Sequence, residues 1–396
     1  MGAGMITEER LHALRAATVG WTDSLHLNAA GASVLSLSSL TAIQEHFALE
    51  ARIGPMDAAL AVMPRLHLLR EDTARLLNAG PDEVAFLSSG SAAFGAVWAS
   101  LPALRPGDRI LVSRQEWGGN LATYQRSAER AGARVEVLPC LPDGRLDLGA
   151  TAALLDDKVR WLSLTWLPAN SGLIQDAAGL GRLARSAGVP FFIDAGQALG
   201  QLPIDVQALG CDVLKSAGRK HLRGPRGTAV LYVRRGFLDR LDPPWVDVQS
   251  APWAHPARPD AARFETSEQS IALLLGLQQA VAVALELGVD SIATRVQDLA
   301  MQLRARLCVI PGVTVRDESQ GPLSGLVSFT LDGVGAVEVK SRLAAMEIRV
   351  GANGVPYTPL DMMARGLTGI VRASLSYLND VGDLDRASRA VESIAR

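Results

Sequence analysis

Between residues 84 and 233, seven short runs rich in apolar and β-branched residues alternate with stretches of helical character. That rhythm narrows the possible folds more than any other feature of this 396-residue chain. The runs are Val84–Leu87, Arg109–Ser113, Arg134–Leu138, Arg160–Leu167, Pro190–Asp194, Asp212–Ser216 and Thr228–Val233. Several are apolar almost throughout, as strands covered on both sheet faces must be. Ser91–Leu101, Gly119–Ala131 and Gln175–Ala187 read as helices between them. The alternation predicts an α/β fold with a mostly parallel seven-stranded sheet packed under helices.

The rhythm stops at residues 237–262. Pro243, Pro244, Pro252, Pro256 and Pro259, with Trp245 and Trp253, predict a long ordered loop that shapes either the substrate mouth or a subunit interface. Helices are expected over Ser267–Leu287 and Ile292–Leu307. The tail then reads as strands Val313–Arg316 and Leu326–Leu331, helix Ala336–Met346, strands Ile348–Gly351 and Gly369–Ser376, and helix Asp383–Ala395. This pattern is that of a smaller α+β lobe. A chain of this length exceeds a single core. The expected division is a large domain over 22–285 and a small domain made of 1–21 and 286–396.

A formal net charge of −2 provides no basic field for nucleic acid or an anionic membrane. No apolar run approaches a membrane span, and Met1–Arg10 lacks the apolar core of a signal peptide. Cys140, Cys211 and Cys308 are odd in number and widely spaced, which fits reduced thiols in the cytoplasm. The six histidines show no metal-ligand spacing, so no metal site is expected. A cytoplasmic protein acting on a small molecule is the expectation.

Only four of the 39 basic residues are lysines. A lysine needed only for charge would have been arginine in such a chain. Lys220 lies between two expected strands and before Gly224-Pro225-Arg226-Gly227. Its amine can form a Schiff base with an aldehyde, which arginine cannot do. Two further motifs sit at strand ends. Ser88-Ser89-Gly90-Ser91 closes a strand and opens a helix, a junction suited to a phosphate, with Ser91 as the expected N-cap. Asp194, in Ile193-Asp194-Ala195-Gly196-Gln197, ends a buried strand at the edge where open α/β sheets bind ligands. A carboxylate there can keep a pyridinium nitrogen protonated.

Gly90-Ser91, Asp194-x-x-Gln197 and Lys220 with Gly-Pro-x-Gly, in that order and spacing, resemble the class V aminotransferases, a family of fold-type I pyridoxal-phosphate enzymes. The resemblance runs from Leu27-Asn28-Ala29-Ala30-Gly31 to Arg372-Ala373-Ser374. It implies pyridoxal 5'-phosphate bound through Lys220, with Asp194 at the pyridine nitrogen, Gln197 at the phenolic oxygen, and Gly90 and Ser91 at the phosphate. It further implies Arg372 at the substrate α-carboxylate, Asn28 and Tyr357 facing an amino-acid substrate, and a homodimer. Where many relatives carry Glu-His, this chain has Glu116-Trp117, so Trp117 becomes a stacking platform without a titratable nitrogen. Ala217-Gly218-Arg219 stands where relatives have Ser-x-His, making Arg219 a replacement phosphate contact. Glu268 occupies the place of an intersubunit threonine. Ala169 falls at the usual asparagine, leaving Asn170 as its stand-in.

Cysteine desulfurases need a thiol on a loop before the carboxylate-binding arginine, and Gly351–Pro359 holds none. The departures resemble the branch of ergothioneine-pathway carbon–sulfur lyases and related lincosamide-biosynthesis enzymes. The expected activity is a C–S β-lyase on an S-substituted cysteine. The alternatives are a decarboxylation-coupled oxidative deaminase, an epimerase of the isopenicillin N type, an aminotransferase, or a cofactor-free scaffold protein.

Overall fold

The computed structural model describes residues 6–252 and 257–396, so Trp253 and Pro256 lie outside the described residues. The seven expected strands form one sheet. Its spatial order is Val84–Leu87, Ala229–Val233, Val213–Lys215, Phe191–Asp194, Val159–Thr165, Arg109–Val112 and Arg134–Val137. Ala229–Val233 alone runs antiparallel to its neighbours. Alternation along the strands explains the layering. Phe191, Ile193 and Leu214 face one core with Leu274, Leu277 and Val281 of helix Ile271–Leu287. Phe192, Val213 and Leu231 face the opposite core with Phe94 and Tyr124.

Several boundaries differ from expectation for identifiable reasons. Helix Ala177–Ala187 starts two residues late because Asp176 caps it, accepting from the Gly179 amide at 2.7 Å. Helix Ile271–Leu287 likewise starts at a Ser270 cap rather than at Ser267. Helices Leu37–Ile53, Pro55–Ala61 and Met63–Leu77 were not anticipated. The first and third pack on the helix Ile271–Leu287.

The second lobe has its own core, drawn from Leu11 and Leu14, from Ile292–Leu307, and from the tail. A four-stranded antiparallel sheet, Gly351–Gly354, Gly369–Ser374, Leu326–Leu331 and Val313–Val315, sits under helices Val289–Leu307 and Ala336–Ala345, and helix Val381–Ala395 packs on both of these. The single strand expected at Ile348–Gly351 is two strands. Ile348–Arg349 pairs in parallel with Leu25–His26, whereas Gly351–Gly354 joins the four-stranded sheet. The switch at Val350 carries Asn353 towards the large lobe.

Candidate active site

A cavity of about 580 Å³ opens at the carboxyl ends of the parallel strands, between the two lobes. Asn28, Gly90, Ser91, Trp117, Asp194, Gln197, Arg219, Lys220, Tyr357 and Arg372 all line it. Residues separated by up to 344 positions are thereby brought to one wall or its opposite. A slightly larger cavity, about 640 Å³, lies at the other sheet edge beside Asp108, Arg160 and Pro190, and holds none of them.

The anion end is built by helix Gly90–Ala99. Its N-cap is Ser89, extended in backbone, whose hydroxyl accepts from the Ala92 amide at 3.0 Å. The expectation that Ser91 caps the helix is therefore corrected. Ser91 is the second helical residue, and the first-turn amides of Gly90 and Ser91 have no intrahelical acceptor. Those amides and the positive helix end face the cavity.

Asp194 ends strand Phe191–Asp194 with its side chain almost wholly buried. Its Oδ1 accepts from the Gly196 amide at 2.9 Å, and its Oδ2 accepts from Asn120 Nδ2 at 3.0 Å. The same Oδ2 lies 2.6 Å from Lys215 Nζ. Burial pushes this carboxyl up, but Lys215 and then Lys220 outweigh it and hold the group below its ordinary value. A Cβ on Gly196 would lie 2.9 Å from Asp194 Oδ1 and 3.2 Å from Lys220 Nζ, so only glycine keeps the floor open between them.

Lys220 follows in the loop after strand Val213–Lys215. Desolvation, opposed by Asp194 and reinforced by Lys215, Arg219 and Arg372, brings its ammonium down to about 7. Its Nζ lies 5.9 Å from the centre of the Trp117 ring, so the indole forms a wall beside the amine. Tyr357 meets Trp117 edge-on, with ring centres 5.5 Å apart. That approach depends on Gly118, where a Cβ would lie 2.0 Å from the Pro356 carbonyl oxygen.

Arg372 enters from strand Gly369–Ser374 on the opposite wall. It is 4 % exposed, yet no carboxylate pairs with it among the described residues. Its Nη1 donates to the Ala169 carbonyl at 2.9 Å, and Nε has no partner. Burial pushes the guanidinium down to about 10, with Tyr357 opposing the shift. A buried cation lacking an anion is costly unless a ligand supplies one. Gln197 Nε2 donates to the Ala30 carbonyl at 3.1 Å, while its buried Oε1 is unpartnered.

One expectation is corrected, and others are narrowed. Asn170 does not line the cavity: its Nδ2 donates to Thr358 Oγ1 at 2.9 Å and to the Gly354 carbonyl, and its Oδ1 accepts from Asn353 Nδ2 at 2.9 Å. It ties the large lobe to the 351–358 segment and has no donor left for a cofactor. The described residues of 237–262 also stay off the cavity wall, so none of them shapes the mouth within one chain. Arg219 reaches the cavity with its guanidinium hydrogen-bonded to the Gly31 carbonyl, so it helps to seat the N-terminal segment as well. Glu268 is exposed and away from the cavity.

A site residue that the sequence reading passed over is Lys215. The lysine scarcity that singled out Lys220 applies equally to it, since Lys215, Lys220 and Lys340 are three of the four lysines and all line this cavity.

A family model for aminotransferase class-V matches residues 28–387. The chain belongs to the class V aminotransferase family. Among its relatives, a probable cysteine desulfurase of Xylella fastidiosa is 32 % identical over 339 residues, covering 83 % of this chain and 79 % of that protein. A cysteine desulfurase of Salmonella gallinarum is 31 % identical over 341 residues, covering 83 % and 82 %. The fold matches the cysteine desulfurase of Thermococcus onnurineus NA1 with a TM-score of 0.90 at 22 % identity, over 100 % of this chain and 99 % of that one. It also matches a cystine C–S lyase solved with its product cysteine persulfide, with a TM-score of 0.85 at 22 % identity over 94 % and 98 %.

Class V aminotransferases are pyridoxal-phosphate enzymes, and the residues present here fit that group. The glycine-lined floor at Gly196, the unpartnered Gln197 amide oxygen, the free helix amides and the crowded amine of Lys220 all converge on one cavity.

Proposed function

We propose that this class V enzyme is a C–S lyase that cleaves an S-substituted cysteine and releases its sulfur as a free thiol. The observation that carries the reading is the composition of the cavity wall. It joins a lysine of lowered basicity to a buried, anion-free arginine, and none of Cys140, Cys211 and Cys308 lines it. A persulfide-forming desulfurase needs a thiol there. The relatives named cysteine desulfurase support carbon–sulfur cleavage as the shared chemistry.

In this reading Lys220 holds the pyridoxal phosphate, Asp194 meets its ring nitrogen and Gln197 its phenolic oxygen. Gly90, Ser91 and Arg219 meet the phosphate. When bound, the cofactor supplies an electron sink for charge developing at the substrate Cα. Arg372 clamps the α-carboxylate through its planar fork, aided by Asn28. Lys220, free to act as a base near neutrality, takes the Cα proton. The Cβ–S bond then breaks, the sulfur departs and is protonated to the thiol. With one water consumed, the remaining carbons and nitrogen end as pyruvate and ammonium. Trp117 and Tyr357 wall the amine from bulk water without adding a titratable imidazole.

We also read the chain as a cytoplasmic homodimer. Leu37, Phe47, Ile53, Met56, Leu60, Met63 and Leu68 are exposed along the helices between 37 and 77, apolar surface of which a second copy would cover part. Light scattering of the purified protein tests the dimer.

The reaction is tested by mass spectrometry of products from a panel of S-conjugated cysteines. Thiol and pyruvate in equal amounts are expected. A keto acid retaining the sulfur would indicate transamination, and loss of carbon dioxide would indicate the decarboxylating deaminase. No thiol or pyruvate from any conjugate would overturn the lyase reading.

A further inference from the structure

Lys215 lines the cavity beside Asp194, a placement that does not depend on which bond the enzyme cleaves. Strands Phe191–Asp194 and Val213–Lys215 run in parallel register, with Asp194 opposite Lys215, so both side chains emerge on the same sheet face. Each side chain is only 7 % exposed, and Nζ stands 2.6 Å from Asp194 Oδ2. The lysine stem also runs beneath the start of helix Gly90–Ala99, with Nζ 3.5 Å from the position a Gly90 Cβ would take. The ammonium thus lies between the carboxylate expected at the ring nitrogen and the amides expected at the phosphate.

The carboxylate is already well supplied with donors. Oδ2 takes both Lys215 and Asn120, and Oδ1 takes the Gly196 amide. Other charges facing the cavity are Lys220 on the adjoining loop, Arg219 and Arg226 beside it, and Arg372 and Lys340 from the other lobe. Glu116, buried and fully hydrogen-bonded to Ser163, Thr165, Asn120 and the Trp117 amide, stands behind Asn120. A ring N–H arriving at Asp194 therefore shares its acceptor with a fixed cation.

We propose that Lys215 is a positioning residue that sets how firmly the ring nitrogen of bound pyridoxal phosphate keeps its proton, by occupying Asp194 Oδ2 alongside that nitrogen. An acceptor shared with an ammonium attracts a second proton less, and the ammonium repels a pyridinium. The outcome is a weaker electron sink than Asp194 alone would give. Such a sink suits reactions that discharge electrons promptly through a departing β-substituent over those that store them on the ring. The inference rests on the family's cofactor and not on the lyase reading.

The test uses full-length protein loaded with pyridoxal phosphate carrying nitrogen-15 in the ring. The nitrogen shift is followed across pH in the wild type, Lys215→Met and Lys215→Arg. The midpoint of ring-nitrogen protonation is expected to rise by about one to two pH units in Lys215→Met. In Lys215→Arg, which keeps the charge, it is expected to stay near the wild type. If Lys215→Met does not fold, Lys215→Gln, neutral but still able to donate, carries the same expectation. Equal midpoints in wild type and neutral variant would overturn the proposal. So would an arginine variant that follows the neutral one, or a wild-type protein that takes up no cofactor. Because the readout is a nitrogen shift, it is independent of whether any S-conjugate turns over.

Discussion

The two walls of the cavity meet their buried charges in opposite ways. On the large-lobe wall, Asp194 is held by Lys215, Asn120 and the Gly196 amide, so its charge is satisfied before any ligand arrives. On the small-lobe wall, Arg372 has backbone and amide contacts only, and its Nε points at nothing. One wall is pre-organised and the other is waiting. In our reading this separates a group that stays from one that comes and goes: the resident cofactor meets a carboxylate already held in place, and each substrate brings the missing carboxylate.

The contrast can be broken most severely at its centre. Lys220→Ala is expected to lower turnover by roughly 10²- to 10⁴-fold, the scale of a lost acid–base group. It should also abolish the covalent cofactor adduct that borohydride reduction traps in the wild type, as read by intact-protein mass. Asp194→Ala strands the buried Lys215 charge and is expected to destabilise the protein by about 3–5 kcal/mol in chemical denaturation. Arg372→Gln should behave oppositely on stability. It removes a buried cation that has no anion, so the cofactor-free protein should unfold no earlier than the wild type. Its kcat/KM for S-conjugates should fall roughly ten- to hundredfold, as expected for a charge-assisted bond worth about 1.5–3 kcal/mol. An equal loss of stability at Asp194 and Arg372 would erase the distinction between the walls.

Two smaller tests sharpen it. Asn170→Ala is expected to cost about 1–3 kcal/mol by leaving Asn353 and Thr358 under-bonded, while cofactor affinity measured by absorbance titration stays unchanged. The pH dependence of cofactor capture reports on Lys220 directly. Only the free amine reacts, so the capture rate of the cofactor-free protein should rise with pH up to about 7 and then level. An ordinary lysine would keep gaining to above pH 10. The same lowered value means that the folded state binds fewer protons than the unfolded one between about 7 and the ordinary lysine range. This group's contribution to stability therefore increases as pH rises through that window.

The apolar strand runs made the large sheet legible, because burial on both faces leaves little choice of residue. Lys220, Asp194 and Gln197 were legible because each follows such a run at the ligand-binding edge. The helices between residues 37 and 77 were not. Two of them pack on Ile271–Leu287 and the short helix Pro55–Ala61 packs between those two, leaving Phe47, Met56 and Leu60 exposed, so a simple amphipathic period is blurred. Asn170 misled because two adjacent residues point opposite ways: Ala169 faces the cavity, and Asn170 turns into the 351–358 segment. The Ser89 cap was hidden among neighbouring serines. Lys215 was overlooked although its rarity was in plain view, since its register against Asp194 depends on strand pairing and not on spacing.

The parallel pairing of Leu25–His26 with Ile348–Arg349, continued by the Asn28 bridge to Ser374, bears on how the chain is made. The residues of the large sheet lie within a span of 150 and can close on one another early in synthesis. Residues 25–28, made before any of them, have partners that leave the ribosome more than 300 residues later. A segment that emerges before the large sheet is thus among the last to be placed, and Asn28 reaches the cavity only once residues 348–374 have been made. A premature stop before residue 348 and a deletion through residue 28 should therefore produce the same defect, a closed large sheet beside an unfinished cleft.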